Sequence, residues 1–185
     1  MITHSIFPSG APYAHFTHCP RCGKASLGKI ENRAIQCTEC DFIFYFNCAS
    51  STAAFIFHQD KLLMGIRGKD PQKGMLDFPG GFIEFDETAE QALAREVEEE
   101  LNIKISSATY LTSVPNDYIY ADVLYKTTDL YFICGVEDIS NLKAMDDVAG
   151  FRLALPEEID PQCLAFESGK KALQCLLEYL NSHVK

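Results

Sequence analysis

The sequence predicts an α/β (α+β) sandwich preceded by a small metal-bound ribbon. Three observations lead there. Short apolar runs at strand spacing, broken by turn signals, fill much of residues 53–153. Two segments, Thr88–Leu101 and Ser168–Leu180, repeat apolar residues at helical spacing. Four of the eight cysteines form two C-x2-C pairs, Cys19/Cys22 and Cys37/Cys40, with fourteen residues between the pairs.

Bulk properties narrow the function classes. A chain of 185 residues, 47% hydrophobic and 23% charged, suits one globular domain with an appendage. The expected division is an arm and ribbon in 1–50 and the main domain in 51–185. The longest apolar runs, Phe42–Phe46 and Ala53–Phe57, are too short to cross a bilayer, so no membrane partner is expected. The first residues lack a basic start followed by an apolar core, and the expected location is the cytoplasm. A net charge of -10 disfavours a nucleic-acid polymer as partner. It leaves room for a small anionic substrate if a cation stands between carboxylate and phosphate. A homodimer is a further expectation.

The elements follow in order. Residues 1–14 read as a loose arm, and Asn47–Thr52, small and polar, as the boundary segment. Ala53–Phe57 and Lys61–Ile66 read as a hairpin turned at His58-Gln59-Asp60. Gly68–Gly74 is a loop, and Pro79-Gly80-Gly81 a sharp turn between short extended pieces. Thr88 with Gln91 three residues on gives the capping-box start of the first helix. Residues 103–114, 129–136 and 148–153 read as strands, and Pro156–Ile159 as a helical turn. The last helix carries Ala172, Leu173, Leu176, Leu177 and Leu180 on one side.

Two residues between cysteines let both thiolates face one ion while turn N–H groups point at sulfur. Cys19, Cys22, Cys37 and Cys40 therefore form a tetrahedral S4 set. Zinc is preferred, with iron as the alternative. With four protein ligands the site is structural, and so small a segment needs the metal to fold. His15 and His18 are bystanders. Cys48, Cys134, Cys163 and Cys175 read as reduced thiols in apolar surroundings.

The first helix carries the chemistry. At about 100° per residue from Ala89, the apolar stripe Leu93, Val97 and Leu101 encloses Glu96 at about -20° and Glu100 at about +20°. Glu99 lies at the stripe's edge, and Glu98 faces water. Like charges pressed against a core are costly unless they are protonated or meet a cation. Carboxylate oxygens without nitrogen or sulfur nearby suit Mg2+ or Mn2+.

Gly81, Glu87, Arg95, Glu96, Val97, Glu99, Glu100 and Ile103 resemble the box G-x5-E-x7-R-E-U-x-E-E-x-G-U of Nudix hydrolases, U being aliphatic. Asn102 replaces the second glycine and is the next-best residue for a left-handed helix end. The resemblance implies a Nudix α/β/α sandwich with a mixed sheet. It implies Glu96 and Glu100 as main metal ligands, Glu99 assisting, and a carbonyl of Gly80 or Gly81 adding one. Arg95 and Glu87 pair to tie loop to helix, and Glu99 or Glu100 takes the proton of the attacking water. Asp147 stands where family members often place a further acid.

A ribbon before such a domain resembles the NADH- and FAD-cleaving groups of the family. Ser113-Val114-Pro115-Asn116-Asp117-Tyr118 keeps the serine and first proline of the NADH group's signature S-Q-P-W-P-F-P, but neither its tryptophan nor its later prolines. Phe78, Tyr118 and Tyr120 are the aromatic candidates for stacking on a base. The expected reaction is Mg2+-dependent hydrolysis of a nucleoside diphosphate linked to another moiety (NADH, ADP-ribose, FAD or similar), releasing a nucleoside monophosphate. Two other classes compete. A nucleotide-sensing domain without chemistry is expected to have lost the glutamates, which here are intact. A nucleic-acid adaptor using the ribbon has only Arg21, Lys24, Lys29 and Arg33 to work with.

Overall fold

The computed structural model describes residues 12–30 and 33–183, and most of the expected N-terminal arm lies outside them. The chain divides into two compact units: residues 1–48 with 117–126, and residues 49–116 with 127–185.

In the first unit, β1 (Leu27–Ile30), β2 (Ala34–Cys37) and β3 (Ile43–Tyr45) form an antiparallel sheet in that order. Its buried apolar centre is Ile35, with Leu27 and Phe46 packed against it. Phe16, Phe44 and Phe46 add a cluster of ring contacts. One buried isoleucine removes too little surface from water to hold such a sheet, so the cysteines must contribute. None of these three strands is marked in the sequence, because their residues are chosen around the cysteines and not by alternation.

The second unit is a mixed α+β sandwich. Its sheet contains β4 (Ala49–His58), β5 (Lys61–Arg67), β6 (Leu76–Asp77), β9 (Val148–Ala154) and the greater part of β7 (Ile105–Tyr120) and β8 (Val123–Val136), whose Asp117–Lys126 portion is counted in the first unit. The order is β6-β5-β4-β8-β7, with β9 on β5. The expected hairpin is present, with His58 opposite Lys61. β9 runs along β5 from Leu62 to Arg67, so β4 and β6 share the other edge of β5. β4 and β8 are parallel, from Ala49 opposite Thr127 to Ile56 opposite Cys134.

Two expectations are corrected here. Ala49–Thr52 is strand, not connecting segment, because its backbone is paired with β8. β7 and β8 also run well past their expected ends, to a two-residue turn at Ala121-Asp122 where both residues have positive φ. That is the hairpin geometry usually marked by Asn-Gly, and Ala-Asp conceals it.

Side chains alternate across β4. Ala54 and Ile56 face the first helix, α1 (Ala89–Leu101), whose Leu93, Val97 and Leu101 complete one core. Ala53 and Phe55 face the last helix, α2 (Glu167–His183), whose Ala172, Leu173 and Leu176 complete the other. Thr88 caps α1 with both bonds of the capping box formed, and Asn102 ends it in the left-handed conformation at φ 55°. No described helix is long and apolar enough to cross a membrane.

Candidate active site

The glycine turn is laid along the start of β4. Ala54 N–H donates to Pro79 O (2.8 Å), Thr52 N–H to Gly81 O (2.9 Å) and Ile83 N–H to Ser50 O (3.0 Å). Both glycines are required, for different reasons. At Gly80, φ is +149° and a Cβ would lie 2.0 Å from Thr52 O. At Gly81 a Cβ would lie 2.4 Å from Oε1 of Glu96. The second contact places the turn directly against a helix carboxylate.

Helix phase sorts the glutamates as the sequence predicts. Glu96 retains 17% of its side-chain exposure, whereas Glu98 retains 57% and Glu99 51%. Glu100 accepts from Gly80 N–H at 3.0 Å. Burial pushes the Glu100 carboxyl up to about 8, and the charges of Glu96, Asp77 and Asp147 add to the effect. Glu96 is raised too, by burial first, with Glu99 and Asp146 adding to it.

Arg95 organises the near side. Its Nε and Nη2 hold Glu87 at 2.8 and 2.9 Å, and Nη2 also donates to Phe82 O at 3.1 Å. Its Nη1 reaches Glu96 at 2.8 Å and Glu99 at 3.2 Å. Glu87 is consequently held down to about 2. On the far side, Met145 N–H donates to Glu100 O and Gly68 N–H to Asp147 O, bringing the Asp146-Asp147 turn alongside. Lys69 pairs with both aspartates.

Several polar groups here were not picked out from sequence. Asp77 on β6 pairs with Arg67 at 3.0 Å and accepts from Phe78 N–H; burial raises its pKa to about 6. Asp129 accepts from the hydroxyls of Ser51 and Thr127, both at 2.7 Å. Asp77 and Asp129 stand in strand segments that alternation reads as structural, and only the cross-strand pairing gives them neighbours.

The aromatic candidates separate. Phe78 is 3% exposed and packs on Phe55 and Tyr131, so it has no face for a base and is a core residue. Tyr118 and Tyr120 stack on one another at 6.4 Å in the first unit.

The four expected cysteines converge. Their sulfurs lie within 4.8 Å of one another, Cys19 to Cys40 at 3.7 Å and Cys22 to Cys37 at 3.6 Å. A tetrahedron with zinc–sulfur bonds of 2.3 Å has edges of about 3.8 Å. N–H groups of Arg21 and Glu39 point at Cys19 and Cys37 sulfur, both at 3.4 Å. The Ser26 hydroxyl holds the Cys37 thiol down to about 6. The cluster is compatible with a zinc ribbon. The Glu96/Glu100 set, all oxygen and destabilised by its own charge, fits a hard divalent cation.

A glycine turn pressed on a helix of glutamates, within an α/β/α sandwich, defines the class. The chain belongs to the NUDIX domain family, whose pattern matches residues 49–174, and it carries a Nudix hydrolase domain. Among its relatives is the NAD-capped RNA hydrolase NudC of Vibrio vulnificus, 32% identical over 107 residues, which are 56% of this chain and 41% of that protein. The match thus spans less than half of that relative's length. A NUDIX hydrolase of Nitrosomonas europaea shares the fold with a TM-score of 0.67 at 22% identity, covering 91% of this chain and 92% of that one. A bifunctional NMN adenylyltransferase/ADP ribose pyrophosphatase of Francisella tularensis, solved with AMP and a Mn ion, aligns at 26% identity and a TM-score of 0.53. It covers 72% of this chain and 42% of that one.

Proposed function

We propose that the protein hydrolyses the diphosphate bond of a nucleoside diphosphate linked to another moiety, releasing a nucleoside monophosphate, and that it uses Mg2+ or Mn2+. The observation that carries this reading is the buried Glu96/Glu100 pair facing the Gly80-Gly81 turn. Glu96, Glu100 and the rim residue Glu99 hold the cation, with a carbonyl of the glycine turn. When bound, the cation neutralises the diphosphate and stabilises charge on the departing phosphate. Arg95 and Glu87 fix the loop against the helix so that the turn and carboxylates keep their spacing. Glu99 or Glu100 accepts the proton of the water that attacks phosphorus. Lys69 pairs with Asp147 at the far rim, and the charge of Asp147 adds to the raised pKa of Glu100. In the first unit, Cys19, Cys22, Cys37 and Cys40 hold a structural zinc.

The test is a panel of NADH, NAD, ADP-ribose, FAD, diadenosine polyphosphates and NAD-capped RNA, read by mass spectrometry with and without Mg2+ or Mn2+. Metal-dependent release of AMP from at least one member is expected. No turnover on any of them would favour a nucleotide-sensing role. Elemental analysis of protein purified without added metal should find one zinc per chain.

A further inference from the structure

We propose that Asp129 is a specificity residue: its free carboxylate oxygen accepts a hydrogen bond from a donor on the nucleoside of the substrate, either the exocyclic amine of the base or the ribose 2′-hydroxyl. The proposal deepens the nucleotide-hydrolase reading and rests on it.

Asp129 lies on β8, 8% exposed, with no ion-pair partner among the described residues. Its Oδ1 accepts both hydroxyls, from Ser51 and Thr127. Oδ2 accepts none. It is not sealed in the core either, because Thr52 Oγ1 is the sole buried side-chain polar atom without a partner among the described residues. Oδ2 therefore meets solvent from an otherwise buried side chain. Tying β4 to β8 occupies one carboxylate oxygen and leaves the other unused. One oxygen anchored and the other open is the arrangement that receives a ligand's donor.

Its position fits that purpose. Ser51 is opposite Asp129 on one side and Phe82 on the other, so Phe82, Ser51 and Asp129 form one row across the sheet. Two strand spacings, about 10 Å, thus separate Asp129 from the residue that follows the Gly80-Gly81 turn. The row faces α2 while Glu96 and Glu100 belong to α1 on the other face, so a nucleoside at Asp129 reaches the helix carboxylates around the sheet edge at the Gly80-Gly81 turn. Asp129 is on the α2 face with Tyr131, whose hydroxyl donates to Ser168.

Asp129→Asn tests it. The amide oxygen still accepts from Ser51 and Thr127, while an NH2 replaces the open acceptor. Binding of AMP, IMP and dAMP is measured by calorimetry on the intact wild-type and variant proteins, alongside turnover of whichever adenosine diphosphate derivative the wild type cleaves. IMP lacks the amine and dAMP lacks the 2′-hydroxyl. Wild type is expected to bind one of them roughly tenfold or more weaker than AMP, the size of a lost charge-assisted hydrogen bond. IMP as the weak ligand identifies the amine, and dAMP the hydroxyl. Asp129→Asn is expected to weaken AMP by a similar factor, level that difference, and raise KM far more than it lowers kcat. If Asp129→Asn does not fold, discrimination by the wild type among the three nucleotides decides. Equal wild-type affinities, no AMP binding, or discrimination unchanged in Asp129→Asn would overturn the proposal. Absence of turnover with discrimination intact would instead count against the hydrolase reading alone.

Discussion

Gly81→Ala isolates the contact between the glycine turn and Glu96 of α1. Gly81 has an ordinary φ, so alanine fits the backbone. Its Cβ, however, would lie 2.4, 2.5 and 2.7 Å from Oε1, Cδ and Oε2 of Glu96, where real contacts stay beyond 3.0 Å. The whole carboxylate must therefore retreat by at least about 0.6 Å, and a misplacement of about 1 Å at a reacting centre costs on the order of 10²-fold in rate. The expected result is turnover lowered by roughly 10- to 100-fold and a higher Mg2+ concentration for half-maximal rate. The thermal midpoint should move little, because a side chain shifts and the backbone does not. Gly80→Ala provides the contrast: its Cβ meets Thr52 O, a backbone atom, at 2.0 Å, so stability must fall as well. The assays are steady-state hydrolysis against Mg2+ concentration and a thermal melt. Wild-type turnover and Mg2+ dependence in Gly81→Ala would refute the placement of Glu96 in the metal site.

Glu100→Gln should lower turnover by about 10²-fold or more and raise the Mg2+ requirement, while Glu98→Gln on the water-facing side should leave both within about twofold; equal activity of the two in the same assay would refute the helix assignment. The Glu100 carboxyl is raised from its ordinary value to about 8, so its contribution to stability is complete below about pH 4.5 and is lost as pH rises through 8. In Mg2+-free buffer the urea midpoint should therefore fall between pH 5 and 9, and Glu100→Gln should flatten the part of that fall not due to Asp77, whose pKa is about 6, or to Glu96, which burial also raises. Asn102→Gly keeps the left-handed helix end but loses the 3.0 Å bond from Nδ2 to Asn141 O. It should cost no more than about 1 kcal/mol in urea unfolding and leave turnover unchanged.

Much of the candidate site is local and therefore legible. Helix phase alone separates Glu96 and Glu100 from Glu98, and the C-x2-C spacing sets each pair of sulfurs to face one point, because both depend on residues a few positions apart. Thr88 and Gln91 likewise mark the start of α1 within one turn. The rest depends on pairing between distant segments. Nothing in Ala49–Thr52 announces that it runs parallel to Thr127–Leu130, and without that register Ser51, Thr127 and Asp129 are three unrelated polar residues. Phe78 misleads for the same reason: an aromatic beside a glycine turn has the composition of a binding site, and only its packing with Phe55 and Tyr131 shows that it is buried. Asn102 follows the left-handed rule, yet its side-chain bond to Asn141 spans 39 residues and no local rule contains it.

Arg95 divides its guanidinium between two tasks. Nε and Nη2 are committed to Glu87, while Nη1 rests on Glu96 and Glu99, the same carboxylates that a cation would use. A resident monovalent charge thus shares the helix glutamates with any arriving divalent one. Metal affinity becomes a contest over lone pairs rather than a sum of attractions, and the arginine cannot withdraw because its other edge is clamped. Without a divalent ion the helix is not left with bare mutual repulsion, and an ion bound there would be held less tightly than the carboxylates alone would hold it, which would keep exchange possible.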